Sequence, residues 1–132
     1  MPIKCVLDTN IILSAAISDK GNPARIFDAV LDKEIKMYLT EDIINEYKDV
    51  LSRDYFKISP EKIGRIINVI RKLGIITVAE TSEFPMSDES DRVFFDAAQS
   101  MEGWLVTGNI RHYPPKSFVI KPADFCKRFK IL

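Results

Sequence analysis

Residues 3–14 read IKCVLDTNIILS, and this stretch predicts the fold of the chain. The residues before Asp8 are mostly apolar and rich in strand formers, which is typical of a buried strand in a parallel sheet. The apolar run that begins at Ile11 predicts a buried helix, so Asp8 lies at a corner between strand and helix. Because open α/β sheets bind ligands at the carboxyl ends of their strands, Asp8 is a candidate functional carboxylate. A simple helix cap is the alternative.

The composition is typical of one globular domain, which we expect to cover residues 1–132. Hydrophobic residues make up 46% of the chain, and 19 Lys and Arg residues balance 19 Asp and Glu residues. Any nucleic-acid partner must therefore be held by a local basic patch.

We recognise neither a leader peptide nor a membrane-spanning stretch, so we expect a cytoplasmic protein. Cys5 and Cys126 are expected to be free thiols in the core.

Strand and helix patterns alternate along the rest of the chain. Helix starts are predicted at Asn22 as N-cap before Pro23, at Thr40, at Ser59 before Pro60, near Asp91 and at Pro122. Strands are predicted at residues 36–39, 75–79, 104–106 and 118–120. This order predicts an α/β protein of three layers, with a mostly parallel central sheet and helices on both faces.

Three acids stand apart from the other Asp and Glu residues. Besides Asp8, these are Glu46, at the edge of a helix's apolar stripe, and Asp91, which points along the apolar stripe of another helix. Asp91 must either meet a cation or cap its helix by bonding backbone amides. Carboxylates without a set of His or Cys ligands suit Mg²⁺ or Mn²⁺, and two such ions can hydrolyse a phosphodiester. If the three acids converge, they predict this reaction.

Other chemistries fit the sequence less well. His112 is the one histidine, so a histidine metal cluster is excluded, and no glycine-rich phosphate loop occurs. A phosphatase with a nucleophilic Asp after its first strand usually carries a second Asp two residues later, where this chain has Asn10.

Four segments occur in an order and spacing that resemble the motifs of PIN domains, in particular those of VapC-like toxins of toxin–antitoxin pairs. They are VLDTNIILSA, TEDIINEYKDVL, SDRVFFDAA and WLVTGN. The resemblance implies that Asp8, Glu46 and Asp91 are the catalytic acids and metal ligands, that Asn109 is a further metal ligand, and that Asn10, Ser14 and Thr107 support them.

The resemblance also implies a PIN-like fold and a Mg²⁺- or Mn²⁺-dependent endoribonuclease, with RNA as substrate, an antitoxin protein as partner and a homodimer as the assembly. The helix over residues 63–73 and the helix before it carry the apolar residues most available to a dimer, with core burial as the alternative. The rival function is a PIN-like domain that no longer cuts and serves as a nucleic-acid-binding or regulatory module.

The chain departs from the family pattern at one position. Many PIN domains have a fourth acid where this chain has Asn109, followed three residues later by His112. Asn109 contributes no charge, so a second ion would be held less tightly. Asp88 or Asp96 could compensate, although Asp96 is rotated about 140° from Asp91 on a helix. For both Asp88 and Asp96, the alternative is that the acid is solvated at the surface and plays no part in the site.

Basic residues near the predicted site are candidates for holding the substrate through its phosphates. Arg111 and His112 are the first candidates because they follow a predicted strand end, and Lys116 lies in the same loop. The basic residues near the C-terminus fit a solvated charged face better.

Overall fold

The computed structural model describes residues 3–131, in which five strands form one parallel sheet flanked by six α-helices. The strands are β1 (Ile3–Leu7), β2 (Ile35–Leu39), β3 (Ile75–Ile76), β4 (Trp104–Val106) and β5 (Val119–Ile120). The helices are α1 (Thr9–Ile17), α2 (Asn22–Leu31), α3 (Glu41–Leu51), α4 (Pro60–Leu73), α5 (Arg92–Met101) and α6 (Pro122–Phe129).

The order of the strands is β3-β2-β1-β4-β5, and every pair is parallel. From β1 the chain moves outward to β2 and β3, and then returns across the sheet through α5 to β4. Because such crossovers are right-handed, α5 lies on the opposite face from the helices between β1 and β3. Accordingly, α5 contacts β1, β2 and β4, whereas α1 contacts α2 and α3. The predicted three-layer α/β architecture is confirmed.

The strand β1 forms the centre of the core. Cys5, Val6 and Leu7 are completely buried, as expected for a middle strand that is covered by helices on both faces. Cys126 is also buried, and both cysteines are free thiols as predicted. Burial raises the pKa of Cys5 to about 12, which makes this thiol unreactive at neutral pH.

Local sequence signals set most of the helix starts. The Thr40 hydroxyl accepts a hydrogen bond from the backbone N–H of Ile43 at 3.1 Å, and the Ser59 hydroxyl accepts one from Lys62 at 3.2 Å. The predicted N-cap Asn22 is wrong by one position, because α2 already includes Asn22 and its N-cap is Gly21. Gly21 has a φ of 97°, which a residue without Cβ adopts easily.

Two predicted strands are shorter in the structure. The strand predicted at residues 75–79 ends at Ile76, although the Thr77 N–H still donates to the Leu39 carbonyl at 2.8 Å. The β3 strand lies at the edge of the sheet, and the chain then leaves it to run along α5. The strand predicted at 118–120 begins at Val119. Short 3₁₀ helices at 54–56, 89–91 and 110–112 were not predicted.

Within residues 3–131, no helix is both long enough and apolar enough to cross a membrane.

Candidate functional site

Asp8 and Thr107 lie side by side where two neighbouring strands end. Leu7 of β1 pairs with Val106 of β4, and the Asp8 N–H donates to the Val106 carbonyl at 3.0 Å. The buried Thr107 hydroxyl donates to Asp8 Oδ2 at 2.7 Å. Because the chain leaves β1 and β4 toward opposite edges of the sheet, this is its topological switch point, where α/β proteins bind ligands. The polar residues that end β1 and β4 therefore meet in the structure.

The carboxylate of Asp8 is fixed by four donors. Its Oδ1 accepts from the Thr9 N–H at 2.7 Å. Its Oδ2 accepts from Thr107, from the Tyr113 hydroxyl at 2.9 Å and from Asn10 Nδ2 at 3.3 Å. Asp8 is thus the N-cap of α1, as the alternative interpretation held, but two of its four bonds are to the distant residues Thr107 and Tyr113. A carboxylate has about four lone-pair sites, so Oδ1 is the oxygen with room for a ligand.

Asn10 links the start of α1 to the loop after β4. Its Nδ2 also lies 3.5 Å from the Thr107 hydroxyl, and its Oδ1 accepts from the Gly108 N–H at 3.2 Å. The Thr107 hydroxyl in turn accepts from the Asn109 N–H at 3.0 Å. Asn10 and Thr107 therefore hold both the carboxylate of Asp8 and the backbone of the facing loop.

Asp91 stands at the start of α5 without capping it. In the described part of the chain its side chain bonds no helix amide, and Oδ2 lies 3.7 Å from Nδ1 of His112. The Asp91 side chain is 18% exposed. Burial, followed by the negative charges of Asp8 and Asp88, raises the pKa of Asp91 to about 6, and His112 opposes this shift. Asp91 does not cap its helix, so the structure favours the other alternative, in which the Asp91 carboxylate contacts a cation.

Glu46 faces the same cluster from α3. It is half-buried, and its carboxylate accepts no hydrogen bond from any other residue between 3 and 131. Burial is the main cause of its raised pKa. The charges of Asp49, Asp8 and Asp88 add to this shift, and Arg53 opposes it. The next residue, Tyr47, donates its hydroxyl to the Leu7 carbonyl and so joins α3 to the end of β1.

The three acids therefore lie within electrostatic range of one another at one end of the sheet. They do not form a ready-made metal cluster. In the described residues, no group of three His, Cys, Asp or Glu side chains has the spacing that such a cluster needs. Mg²⁺ does not require such a cluster, since it keeps several waters and is usually held by one or two carboxylates. The oxygen-rich donor set and the mutual repulsion of the acids both fit a hard divalent cation.

Two further side chains, those of Asp88 and His112, lie near Asp91. Asp88 is exposed, and its Oδ1 accepts from the Ser90 N–H at 2.9 Å and from the Ser90 hydroxyl at 2.8 Å, which lowers its pKa. Its charge acts on both Glu46 and Asp91. The His112 side chain is 55% exposed beside Asp91. Asp88 and His112 are thus the neighbours of Asp91 that could complete a ligand set.

The remaining predicted site residues have exposed side chains. Asn109 and Arg111 are exposed in the loop after β4, and the Asn109 side chain does not cap the short 3₁₀ helix that follows it in the described chain. Ser14 is exposed one turn after Asn10, and over residues 3–131 its hydroxyl forms no hydrogen bond. These three side chains are accessible to a ligand from outside.

Asp96 is not a solvated acid, which corrects the alternative favoured from the sequence. It is only 5% exposed, and its Oδ2 accepts from the Ser82 N–H at 3.1 Å. Arg92, one turn earlier, donates to the Ser82 carbonyl at 2.7 Å, and Ser100, one turn later, accepts from the Glu80 N–H at 3.0 Å. This polar face of α5 holds the segment at 80–84. Asp96 does point away from Asp91 as predicted, but the segment covers it.

Sequence reasoning missed two tyrosines that build the site. The sequence patterns single out neither Tyr47 nor Tyr113. Both are buried, and the hydroxyl of a buried tyrosine usually finds a partner. Tyr113 directly follows His112 after a strand end, and this position is the signal that could have identified it.

Comparisons with known proteins identify the family of the chain. A family model described as PIN domain matches residues 4–111, which include the three acids and Asn109. An uncharacterized protein of Methanocaldococcus jannaschii is 28% identical over 111 residues, covering 81% of this chain and 71% of that protein.

Proposed function

The chain belongs to the PIN domain family, whose members are typically nucleases, and we propose that it is a Mg²⁺- or Mn²⁺-dependent endoribonuclease. The observation that carries the proposal is the arrangement of Asp8, Glu46 and Asp91 at the switch point of the sheet. Burial, followed by the negative charges of Asp8, Asp88 and Glu46, raises the pKa of Asp91 to about 6, as expected for a half-buried acid that is arranged to share a cation with others.

PIN domain nucleases generally use divalent metals, and the donors here suit such an ion. Asp8 through Oδ1, together with Asp91 and Glu46, would hold it, with Asn109 or Asp88 as a further ligand. When bound, the ion would supply the Lewis acidity that activates water and balances the charge of the phosphodiester. The specific contribution of this chain is a rigid Asp8, since partners that orient a ligand tune metal affinity strongly.

The substrate would approach from the exposed side of the cluster. Arg111 and His112 project from the loop after β4, and both can contact phosphate oxygens without reading sequence. The overall charge is balanced, so this local pair is important for holding RNA. RNA rather than DNA is the substrate that the VapC-like resemblance favours.

A direct test is cleavage of a labelled pool of single-stranded and hairpin RNA by the purified chain. Wild type should cleave with Mn²⁺ and stop after addition of a chelator, and Asp91→Asn should be inactive. Asp28→Asn is the matched control, because Asp28 is an exposed acid on α2 that makes no side-chain hydrogen bond with other residues in 3–131. A DNA pool of the same sequences tests the preference for RNA.

We also propose that this nuclease is the toxin of a toxin–antitoxin pair and that it acts as a homodimer. The support is the resemblance to VapC-like toxins. Expression of the chain alone should arrest growth, and co-expression of a small protein encoded beside it should restore growth. Asp8→Asn should be harmless in the same cells. Normal growth with active wild-type nuclease would contradict the toxin role while leaving the nuclease intact.

The rival function is a PIN-like module that binds nucleic acid without cutting it. Two observations favour this rival: Asn109 is neutral, and the described acids are not assembled into a cluster of three metal ligands. Binding of the RNA pool that is tight, independent of metal and unaccompanied by cleavage would support it. Cleavage that is lost in Asp91→Asn and retained in Asp28→Asn would exclude it.

A further inference from the structure

A pocket lies apart from the three acids, between the start of α3, the segment after β3 and one side of α5. Its volume is about 350 Å³. Its apolar wall is formed by Ile76, Val78, Ala79 and Val93, and two of its acids are Asp42 and Asp96. None of Asp8, Glu46 and Asp91 lines it. The pocket therefore combines an aliphatic wall with carboxylates, and this combination is independent of the nuclease site.

Asp96 has one oxygen without a partner. Its Oδ2 accepts from the Ser82 N–H, but its Oδ1 is buried and has no hydrogen-bond partner in residues 3–131. The nearby Arg92 does not supply the missing donor, because its guanidinium bonds Ser82, Phe84 and Glu89 instead. A buried carboxylate oxygen is unfavourable without a donor. Asp96 lines the pocket, so a ligand donor that displaces the atoms covering Oδ1 would remove this cost.

The pocket also has two acids, Asp42 and Asp96, that form no ion pair with the described chain, although the charge of Arg92 acts on Asp96. Glu41 is engaged by Arg71 through two contacts of 3.0 and 3.2 Å, but Asp42 is exposed and forms no ion pair with the other residues that the structure describes. Asp42 and Asp96 thus line the same space, and no Lys, Arg or His side chain in residues 3–131 forms an ion pair with either. A ligand that satisfies them must be positively charged and must donate hydrogen bonds.

We propose that this pocket binds an ammonium or guanidinium group carried on a short aliphatic chain. The aliphatic part lies against the apolar wall, and the cationic head donates to Oδ1 of Asp96 and pairs with Asp42. Lysine and arginine side chains have this amphipathic form, as do free polyamines. A partner protein is one source of such a group and a cellular polyamine is the other, and the same carboxylates recognise both.

An NMR titration of the full chain, labelled with ¹⁵N, tests the proposal. The probes are agmatine, N-acetyl-arginine methylamide and, as the neutral control of similar length, N-acetyl-norleucine methylamide. The two cationic probes should cause saturable shifts in the amides of residues 40–42 and 76–82, and the neutral probe should not. Tighter binding of the arginine derivative points to a protein source, and tighter binding of agmatine to a polyamine.

Asp42→Asn and Asp96→Asn should each weaken the binding of agmatine by about tenfold, because each removes one charged partner of a cation. Asp28→Asn should not change it. Asp42→Asn leaves the bond between Asp96 and Ser82 intact, so it tests the pocket even if Asp96→Asn disturbs the segment at 80–84. No saturable shifts at these residues, equal shifts with the neutral probe, or unchanged affinity in Asp42→Asn would each overturn the proposal. None of these outcomes depends on RNA cleavage.

Discussion

Tyr113 donates its hydroxyl hydrogen to Oδ2 of Asp8 over 2.9 Å, although the two residues are 105 positions apart in the sequence. Tyr113 is buried, and burial together with the charge of Asp8 raises its pKa, so it remains protonated and can donate at physiological pH. The loop after β4 thereby fixes the orientation of the acid at the end of β1. This relation makes Tyr113 a positioning residue for Asp8.

Tyr113→Phe should weaken the binding of Mn²⁺ by about tenfold or more, since loss of a partner that orients a metal ligand typically costs about 10–100-fold. Calorimetric titration measures the change. Tyr55→Phe is the matched control, because Tyr55 is 86% exposed and should bind Mn²⁺ like wild type. Equal affinity in all three proteins would show that Tyr113 does not position a metal ligand.

The raised pKa of Asp91 predicts that Mn²⁺ binds more weakly in acid. With a pKa of about 6, Asp91 is mostly protonated at pH 5 and mostly ionised at pH 7.5. Because a proton and the ion compete for the carboxylate, the affinity should rise about tenfold between these two values. Asp91→Asn should remove this dependence. An affinity in wild type that is constant from pH 5 to 7.5 would contradict the role of Asp91.

The same shift predicts how stability depends on pH when metal ions are removed by a chelator. The pKa of Asp91 is about 6 in the folded protein and 3.8 in the reference state, so the folded protein binds more protons between these values. The contribution of Asp91 to the free energy of unfolding should therefore decrease as the pH rises from about 4 to 6. Urea unfolding of wild type and Asp91→Asn isolates this contribution. A difference that is absent or has the opposite sign would show that folding does not raise the pKa of Asp91.

Asp96 should matter for stability and little for cleavage. Asp96→Ala leaves the Ser82 N–H without its acceptor, which should lower the free energy of unfolding by about 1–3 kcal/mol. Asp96→Asn keeps an acceptor and should retain most of the cleavage activity, because Asp96 points away from Asp91. Denaturation and cleavage assays measure the two effects, with Asp28→Ala as the surface control. Loss of cleavage in a fully folded Asp96→Asn would place Asp96 in the catalytic machinery.

The proposed homodimer should depend on α4. Ile63 and Ile66 are only half-buried on this helix, so they are available to a second copy of the chain. Sedimentation at tens of micromolar should show a dimer for wild type and a monomer for Ile63→Lys. Val78→Lys is the control, since Val78 is 91% exposed on the segment after β3. A wild-type protein that is only monomeric at this concentration would contradict the dimer.

Local patterns predicted much of the fold from the sequence. The apolar strand before Asp8 and the capping hydroxyls of Thr40 and Ser59 act over a few residues, so their structural consequences are visible in a short window. The alternation of strands and helices also indicated that the ends of β1 and β4 lie on the same side of the sheet, because parallel strands end on one side. The resemblance to PIN domains added that Thr107 supports the acids.

The missed features depend on residues that are distant in the sequence. Asp96 falls on the polar side of α5, and periodicity alone cannot show that the segment at 80–84 covers this side and bonds to Asp96. Tyr113 reaches Asp8 only because the loop after β4 turns back over the sheet. Such partners are determined by tertiary packing, which a single sequence does not reveal.

The central claim is that Asp8, Glu46 and Asp91 act as one metal-dependent unit. The most direct test is the rate of Mn²⁺-dependent RNA cleavage in Asp8→Asn, Glu46→Gln and Asp91→Asn, each checked for native folding and compared with Asp28→Asn. Each of the three should lose about two or more orders of magnitude, as is typical when one group of a cooperating set is removed, and Asp28→Asn should keep the wild-type rate. A folded Asp8→Asn, Glu46→Gln or Asp91→Asn that cleaves RNA at the wild-type rate would contradict the claim.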